Sequence, residues 1–141
     1  MSPPSTGLTR ALLSSTVLLD TTVLIDALRG RNQMRSHLAE MIASGQTLAT
    51  STICIAEVYG GLRPGEEAKT RAFLEAMEWL TVSGEIAQIA GELKSGLRRQ
   101  GHTRSIPDMI VAATALERGF SLATDNRKDF QIPGLILYPM P

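Results

Sequence analysis

Four carboxylates, each attached to a strongly apolar segment, constrain this chain more than any other feature. Asp20 interrupts the run Val17-Leu18-Leu19-Asp20-Thr21-Thr22-Val23-Leu24-Ile25, and Glu57 is the only charge in Ile53-Cys54-Ile55-Ala56-Glu57-Val58-Tyr59. Asp108 opens Asp108-Met109-Ile110-Val111-Ala112-Ala113, and Asp125 follows Phe120-Ser121-Leu122-Ala123-Thr124. Carboxylates are rarely buried unless they are paired or bound to a cation. Four such acids, each attached to an apolar segment, suggest one acidic pocket. A divalent metal is the simplest way to hold such a pocket together.

The apolar pattern indicates how the segments are arranged. Residues 17–19, 47–50, 79–82, 120–123 and 135–138 read as short strands. Helical stretches lie between them: 22–29 before Gly30, 33–44 before Gly45, 51–62 before the Pro64-Gly65 turn, and 68–80. Ile86, Ile89, Ala90, Leu93 and Leu97 give the clearest amphipathic helix, and residues 106–118 form another, ended by Gly119. Short strands alternating with helices predict an α/β domain with a mostly parallel sheet of about five strands. In such folds ligands collect outside the carboxyl ends of the strands. Asp20 and Asp125 stand immediately after strands, Glu57 sits on a helix after a third, and Asp108 begins a helix.

Each acid also has a plain structural role. Asp20 can cap the helix that follows it. Ser105-Ile106-Pro107-Asp108 matches a capping box. Asp125 can form a turn with Asn126. Glu57, mid-helix, has no capping role. Asp26 and Asp129 read as ordinary surface acids.

The bulk properties narrow the function. The length of 141 residues suits one domain, with residues 1–15 as a Ser-, Thr-, Pro- and Gly-containing tail and 16–141 folded. The tail lacks the apolar stretch of a signal peptide, and no run approaches the ~18 residues of a membrane span. Cys54, the single cysteine, excludes an internal disulfide and fits a cytoplasmic setting. A formal net charge of zero argues against coating nucleic acid by charge alone. Two local excesses of base remain: Arg29, Arg31 and Arg35, and then Lys94, Arg98, Arg99 and Arg104 with His102 among them. They read either as solvated helix ends or as phosphate contacts flanking the acids.

Clustered acids around Mg²⁺ or Mn²⁺ suit phosphodiester hydrolysis by an activated water, with no covalent nucleophile. The chain has no GxxxxGK[ST], GxGxxG or GxSxG motif, and its two histidines and one cysteine do not make a typical zinc site. An aspartyl-phosphate enzyme using Asp20 lacks the second nearby acid that dehalogenase-like phosphatases carry. A binding module on the same scaffold, holding RNA or protein without turnover, remains an alternative.

The motif Leu18-Leu19-Asp20-Thr21-Thr22-Val23-Leu24-Ile25-Asp26 resembles the opening motif of PIN-domain ribonucleases, and within them the VapC-type toxins of bacterial toxin–antitoxin pairs. Ser51-Thr52-Ile53-Cys54-Ile55-Ala56-Glu57-Val58-Tyr59-Gly60-Gly61, Pro107-Asp108-Met109-Ile110-Val111-Ala112-Ala113 and Ala123-Thr124-Asp125-Asn126-Arg127-Lys128-Asp129-Phe130 resemble the second, third and fourth motifs, in the family's order. The resemblance implies a three-layer α/β/α sandwich and Mg²⁺- or Mn²⁺-dependent cleavage of RNA, often tRNA or ribosomal RNA. It implies Asp20, Glu57 and Asp108 as metal-binding acids, with Thr21 and Thr124 as polar supports. It also implies a small VapB-type antitoxin partner and a toxin homodimer. Two positions depart from the pattern. Thr22 stands where many members have Asn. The family's fourth Asp or Asn often falls at Asn126, so the fourth ligand is Asp125 or, alternatively, Asn126. The basic residues Arg29, Arg31, Arg98, Arg99 and Arg104 are the expected contacts to the RNA backbone.

Overall fold

The computed structural model describes residues 15–140, and the expected tail at 1–15 lies almost wholly outside them. Strand β1 (Thr16–Leu19) is central, and Val17, Leu18 and Leu19 are fully buried. Consecutive strand residues point to opposite faces, so burial of all three means that both faces are covered. Strand β2 (Thr47–Ser51) and β4 (Ser121–Ala123) flank β1, and β3 (Glu78–Leu80) lies outside β2. All three pairings are parallel, with Leu18 opposite both Ala49 and Leu122. The resulting order is β3-β2-β1-β4.

That order creates the feature that matters for function. From β1 the chain builds outward through β2 and β3, then returns to the opposite side of β1 for β4. The sheet therefore reverses direction between β1 and β4, which opens a crevice at their carboxyl ends. Asp20 follows β1 and Thr124 follows β4 at this point.

Six helices connect and cover the strands among the described residues: α1 (Thr21–Arg29), α2 (Met34–Ala43), α3 (Thr52–Gly60), α4 (Glu67–Glu75), α5 (Gly84–Arg99) and α6 (Ile106–Arg118). Local chemistry sets their limits. Asp20, Ser51, Ser83 and Ser105 each accept a backbone N–H at a helix start. Helices α1 and α6 end at Gly30 and Gly119, whose φ angles of 67° and 71° lie in the left-handed region that favours glycine. Helix α5 turns Ile86 and Ala90 fully inward, as its period predicts, and packs beside α6.

The sheet has four strands rather than about five. The segment expected as the fifth makes one parallel bridge, Leu137 beside Leu122, with Tyr138 N–H donating to Leu122 O at 2.7 Å. Gly134 turns the chain just before it, and Pro139, which has no N–H, stops the ladder just after it. No helix among the described residues is long and apolar enough to cross a membrane.

Candidate functional site

Asp20 is both a helix cap and the buried centre of the acidic crevice. Its Oδ1 accepts Thr21 N–H at 2.8 Å, and its Oδ2 accepts the Thr124 hydroxyl at 2.8 Å and the Thr22 hydroxyl at 3.2 Å. The backbone feeds both hydroxyls. Asp125 N–H donates to Thr22 Oγ1 at 3.2 Å, and Asn126 N–H donates to Thr124 Oγ1 at 3.0 Å. Thr22 thus accepts and donates at once, as its hydroxyl allows. Asp20 N–H also extends the β1–β4 ladder to Ala123 O at 3.0 Å. The carboxylate is therefore oriented by both strand ends, with 3% of the residue exposed.

Thr21 connects two of the acids. Its backbone bonds Asp20, while its hydroxyl donates to Glu57 Oε1 at 2.8 Å. Glu57 reaches the crevice from the solvent-exposed side of α3. Asp108 arrives half-buried from the first turn of α6, its N–H capped by Ser105 Oγ at 3.2 Å. The structural and functional readings of Asp20 and Asp108 are compatible, because the cap uses one group and leaves others free.

The electrostatics reflect crowding. Burial raises the pKa of Asp20 above the ordinary carboxylate value, and the Asp108 charge adds to the rise against the hydrogen bonds it accepts. Burial likewise raises Asp108, opposed by Ser105 and assisted by the neighbouring Asp129 charge. Both acids carry negative charge at a cost that a cation would relieve. The donors are hard oxygens suited to Mg²⁺ or Mn²⁺. No three Asp, Glu, His or Cys side chains among the described residues are already arranged around one cation position. A metal would be gathered by Asp20, Glu57 and Asp108 with side-chain adjustment and water. Cys54 is no competing nucleophile, since burial pushes its thiol up to about 11. Asp20, buried with both oxygens engaged, is poorly placed to attack phosphorus itself.

The fourth motif divides its residues. Asp125 turns to Asp26, sharing a hydrogen bond between carboxyl groups, and that contact more than burial lifts its pKa to about 6. Asn126 turns the other way and donates from Nδ2 to Asp129 Oδ2 at 2.7 Å. Asp26 and Asp129 are not the surface acids expected from sequence. Asp26 is 8% exposed and accepts Asn32 Nδ2 at 2.9 Å. It lies one helical turn beyond Thr22, on the face of α1 that the Asp125 loop covers. Asp129 faces Asp108 and is 3.9 Å from the Arg104 guanidinium. The spacing Asn126-x-x-Asp129, followed by an apolar Phe130, was the available signal for this turn.

The basic residues separate by role. Arg29 donates to Gly61 O at 3.2 Å and lies 3.9 Å from Glu66, joining α1 to the segment after α3. Arg35 donates to Ala27 O and Leu28 O at 2.7 and 3.0 Å, closing the end of α1. Arg104 donates to Asp129 O at 3.1 Å, and Lys94 Nζ bonds Arg104 O. Arg31, Arg98 and Arg99 remain exposed, with Arg99 also reaching Ser95 Oγ at 3.1 Å.

Comparison with known proteins relates most of the chain to others. Residues 17–133 match the family model for the PIN domain. Ribonuclease VapC19 of Mycobacterium tuberculosis is 35% identical over 80% of this chain and 90% of its own length. The solved structure of VapBC2 from Rickettsia felis, bound to a DNA fragment from their promoter, covers 87% of this chain and 97% of the matched chain. Its TM-score is 0.76 at 28% identity. A toxin–antitoxin complex from Klebsiella pneumoniae covers 88% and 99%, with a TM-score of 0.69 at 33% identity.

Proposed function

The chain belongs to the PIN-domain family, alongside the VapC ribonucleases, and from that premise we propose that it is a metal-dependent endoribonuclease toxin held in check by a small antitoxin. The observation that carries the reading is Asp20, buried at the β1–β4 switch point and oriented by Thr21, Thr22 and Thr124. Asp20, Glu57 and Asp108 would hold Mg²⁺ or Mn²⁺. When bound, the ion supplies a Lewis acid for a phosphoryl oxygen and lowers the pKa of the attacking water.

The chain's own groups supply position. The hydroxyl relays fix the Asp20 carboxylate, Thr21 holds Glu57 beside it, and the α6 cap fixes the backbone from which Asp108 projects. Asp129 and Arg104 set the charge around Asp108. Asp125 is paired with Asp26 and is raised further by the Asp20 charge, while Asn126 organises the turn that bears Asp129. Exposed Arg31, Arg98 and Arg99 are the contacts to the RNA backbone, whereas Arg29 and Arg104 are bound within the fold. Structured RNA such as tRNA or ribosomal RNA is the proposed substrate, and the cytoplasm the proposed location. The toxin–antitoxin assemblies among its structural relatives support a VapB-type antitoxin as partner, and a toxin homodimer is the proposed assembly.

Asp108→Asn tests the assignment. Cleavage should fall about 1,000-fold, equivalent to about 4 kcal/mol of transition-state stabilisation. The fold should persist, because Ser105 caps the backbone rather than the carboxylate. Full activity in this variant would remove Asp108 from the site. A catalytically silent binding module is favoured by the fourth motif, whose acid Asp125 is paired with Asp26; it predicts RNA binding with no cleavage in Mn²⁺.

Replacing Arg98 and Arg99 with Ala tests the electrostatic footprint. The slope of log K against log salt should shrink by roughly 0.7–0.9 for each phosphate that is no longer neutralised. An unchanged slope places both residues outside the interface.

A further inference from the structure

We infer that the cleft beside the acids, between α5 and the turn at Arg127–Phe130 (η1), is a nucleobase subsite that selects where the RNA is cut. The inference rests on the ribonuclease reading and adds a base contact to it. The cleft encloses about 580 Å³, within the range of ligand pockets. Leu93, Leu97, Ile132 and Pro133 give it apolar walls, and Gln100, His102 and Gln131 lie around it. Arg104 and Lys128 outweigh Glu92 among its charged residues.

Arg104 is the shared wall. It lines the cleft, bonds Asp129 O at 3.1 Å, and acts with Asp129 on Asp108. A base in the cleft would therefore belong to a nucleotide close to the cleaved phosphate. Sequence-specific RNA recognition favours unstacked bases, held by their faces and read along their edges. Apolar walls suit the faces, while a side-chain amide presents both donors and an acceptor to an edge. Gln131 Nε2 is held by Arg127 O at 3.0 Å, which points the amide in a defined direction. Arg104, held in place by Asp129, and exposed Lys128 offer cationic donors that suit a phosphate-bearing ligand better than another apolar protein surface.

Gly96 offers a place from which the cleft can be filled. It lies within helical backbone, where glycine is disfavoured, and its φ is not left-handed. A β-carbon there would meet only the Arg99 guanidinium, at 3.9 Å. A larger side chain at this position has room to extend into the cleft it lines.

The experiment compares Gly96→Trp, which fills the cleft, with Gly96→Ala, which leaves it open and should melt no lower than the wild type. First, AMP, GMP, CMP and UMP are titrated in EDTA while the Gln100 and Gln131 amide resonances are followed by NMR. At least one nucleotide should shift them in the wild type and in Gly96→Ala but not in folded Gly96→Trp. Second, RNA cleavage is mapped with metal present. Gly96→Trp should raise KM about tenfold or redistribute the cut sites, with kcat within about twofold. Nucleotide binding without cleavage by any form would uphold a nucleobase site but overturn the ribonuclease reading and, with it, the role in choosing the cut. No cleft perturbation by any nucleotide, or identical KM and cut sites in Gly96→Trp, would overturn the subsite. A Gly96→Trp change in sedimentation from dimer to monomer would also overturn it, assigning the cleft to a second copy.

Discussion

Asp20→Asn should reduce RNA cleavage below detection while melting at or above the wild-type temperature near neutral pH. Loss of activity follows from removing the one carboxylate that both strand ends orient. Retained stability follows from the cost of its charge. Burial raises the Asp20 pKa, so the folded protein binds that proton more tightly than the unfolded chain does. The associated stability is fully present below the unfolded pKa and is lost as pH rises through the raised folded value. At neutral pH the ionised group therefore works against folding, and a neutral amide removes that penalty. Asn still offers an oxygen to Thr21 N–H, and the threonine hydroxyls can rotate to meet its NH₂. Thermal melts of both proteins in EDTA measure the effect. Adding Mn²⁺ should raise the wild-type melting temperature by mass action and leave Asp20→Asn unmoved. A variant that melts well below the wild type would show that Asp20 serves the fold more than the chemistry.

Phe130→Ala should destabilise the protein by about 3–5 kcal/mol, the usual loss for deleting a buried aromatic ring. Phe130 is 1% exposed and is the largest of the fully buried side chains. It anchors the short 3₁₀ turn Arg127–Phe130, which bears Asp129, the partner of both Asn126 and Arg104. The ring thus joins the acidic crevice to the hydrophobic core. Urea unfolding should show a lower midpoint with little change in m, as expected for a folded-state cavity. Loss of less than about 1 kcal/mol would mean that the turn packs without its anchor.

Much of this arrangement was legible in the chain. The apolar runs ending in Asp20 and Thr124 marked two strands, which the sheet sets side by side, and the glycines at 30 and 119 marked two helix ends. These are local signals, carried by periodicity, caps and left-handed backbone. The partners of the acids were less accessible because they come from remote segments. Asp26 looks solvent-facing until the loop after β4 covers α1 and brings Asp125 against it. Asp129 looks like a surface acid until Asn126 and Arg104 close around it. The same limit applies to Arg29 and Arg35: their charge was plain, but carbonyl acceptors in the fold decide what they do. The missing fifth strand has a simpler cause. Residues 135–138 have strand composition, but Gly134 and Pro139 confine them to a single bridge.

Cleavage of total tRNA and ribosomal RNA by the purified protein tests the central claim most directly. The reaction is run in EDTA, Mg²⁺ and Mn²⁺ beside an Asp20→Ala protein prepared identically. Discrete fragments that require metal and vanish in the variant are the predicted result. Equal fragments from both proteins, or fragments that persist in EDTA, would contradict a metal-dependent ribonuclease centred on Asp20.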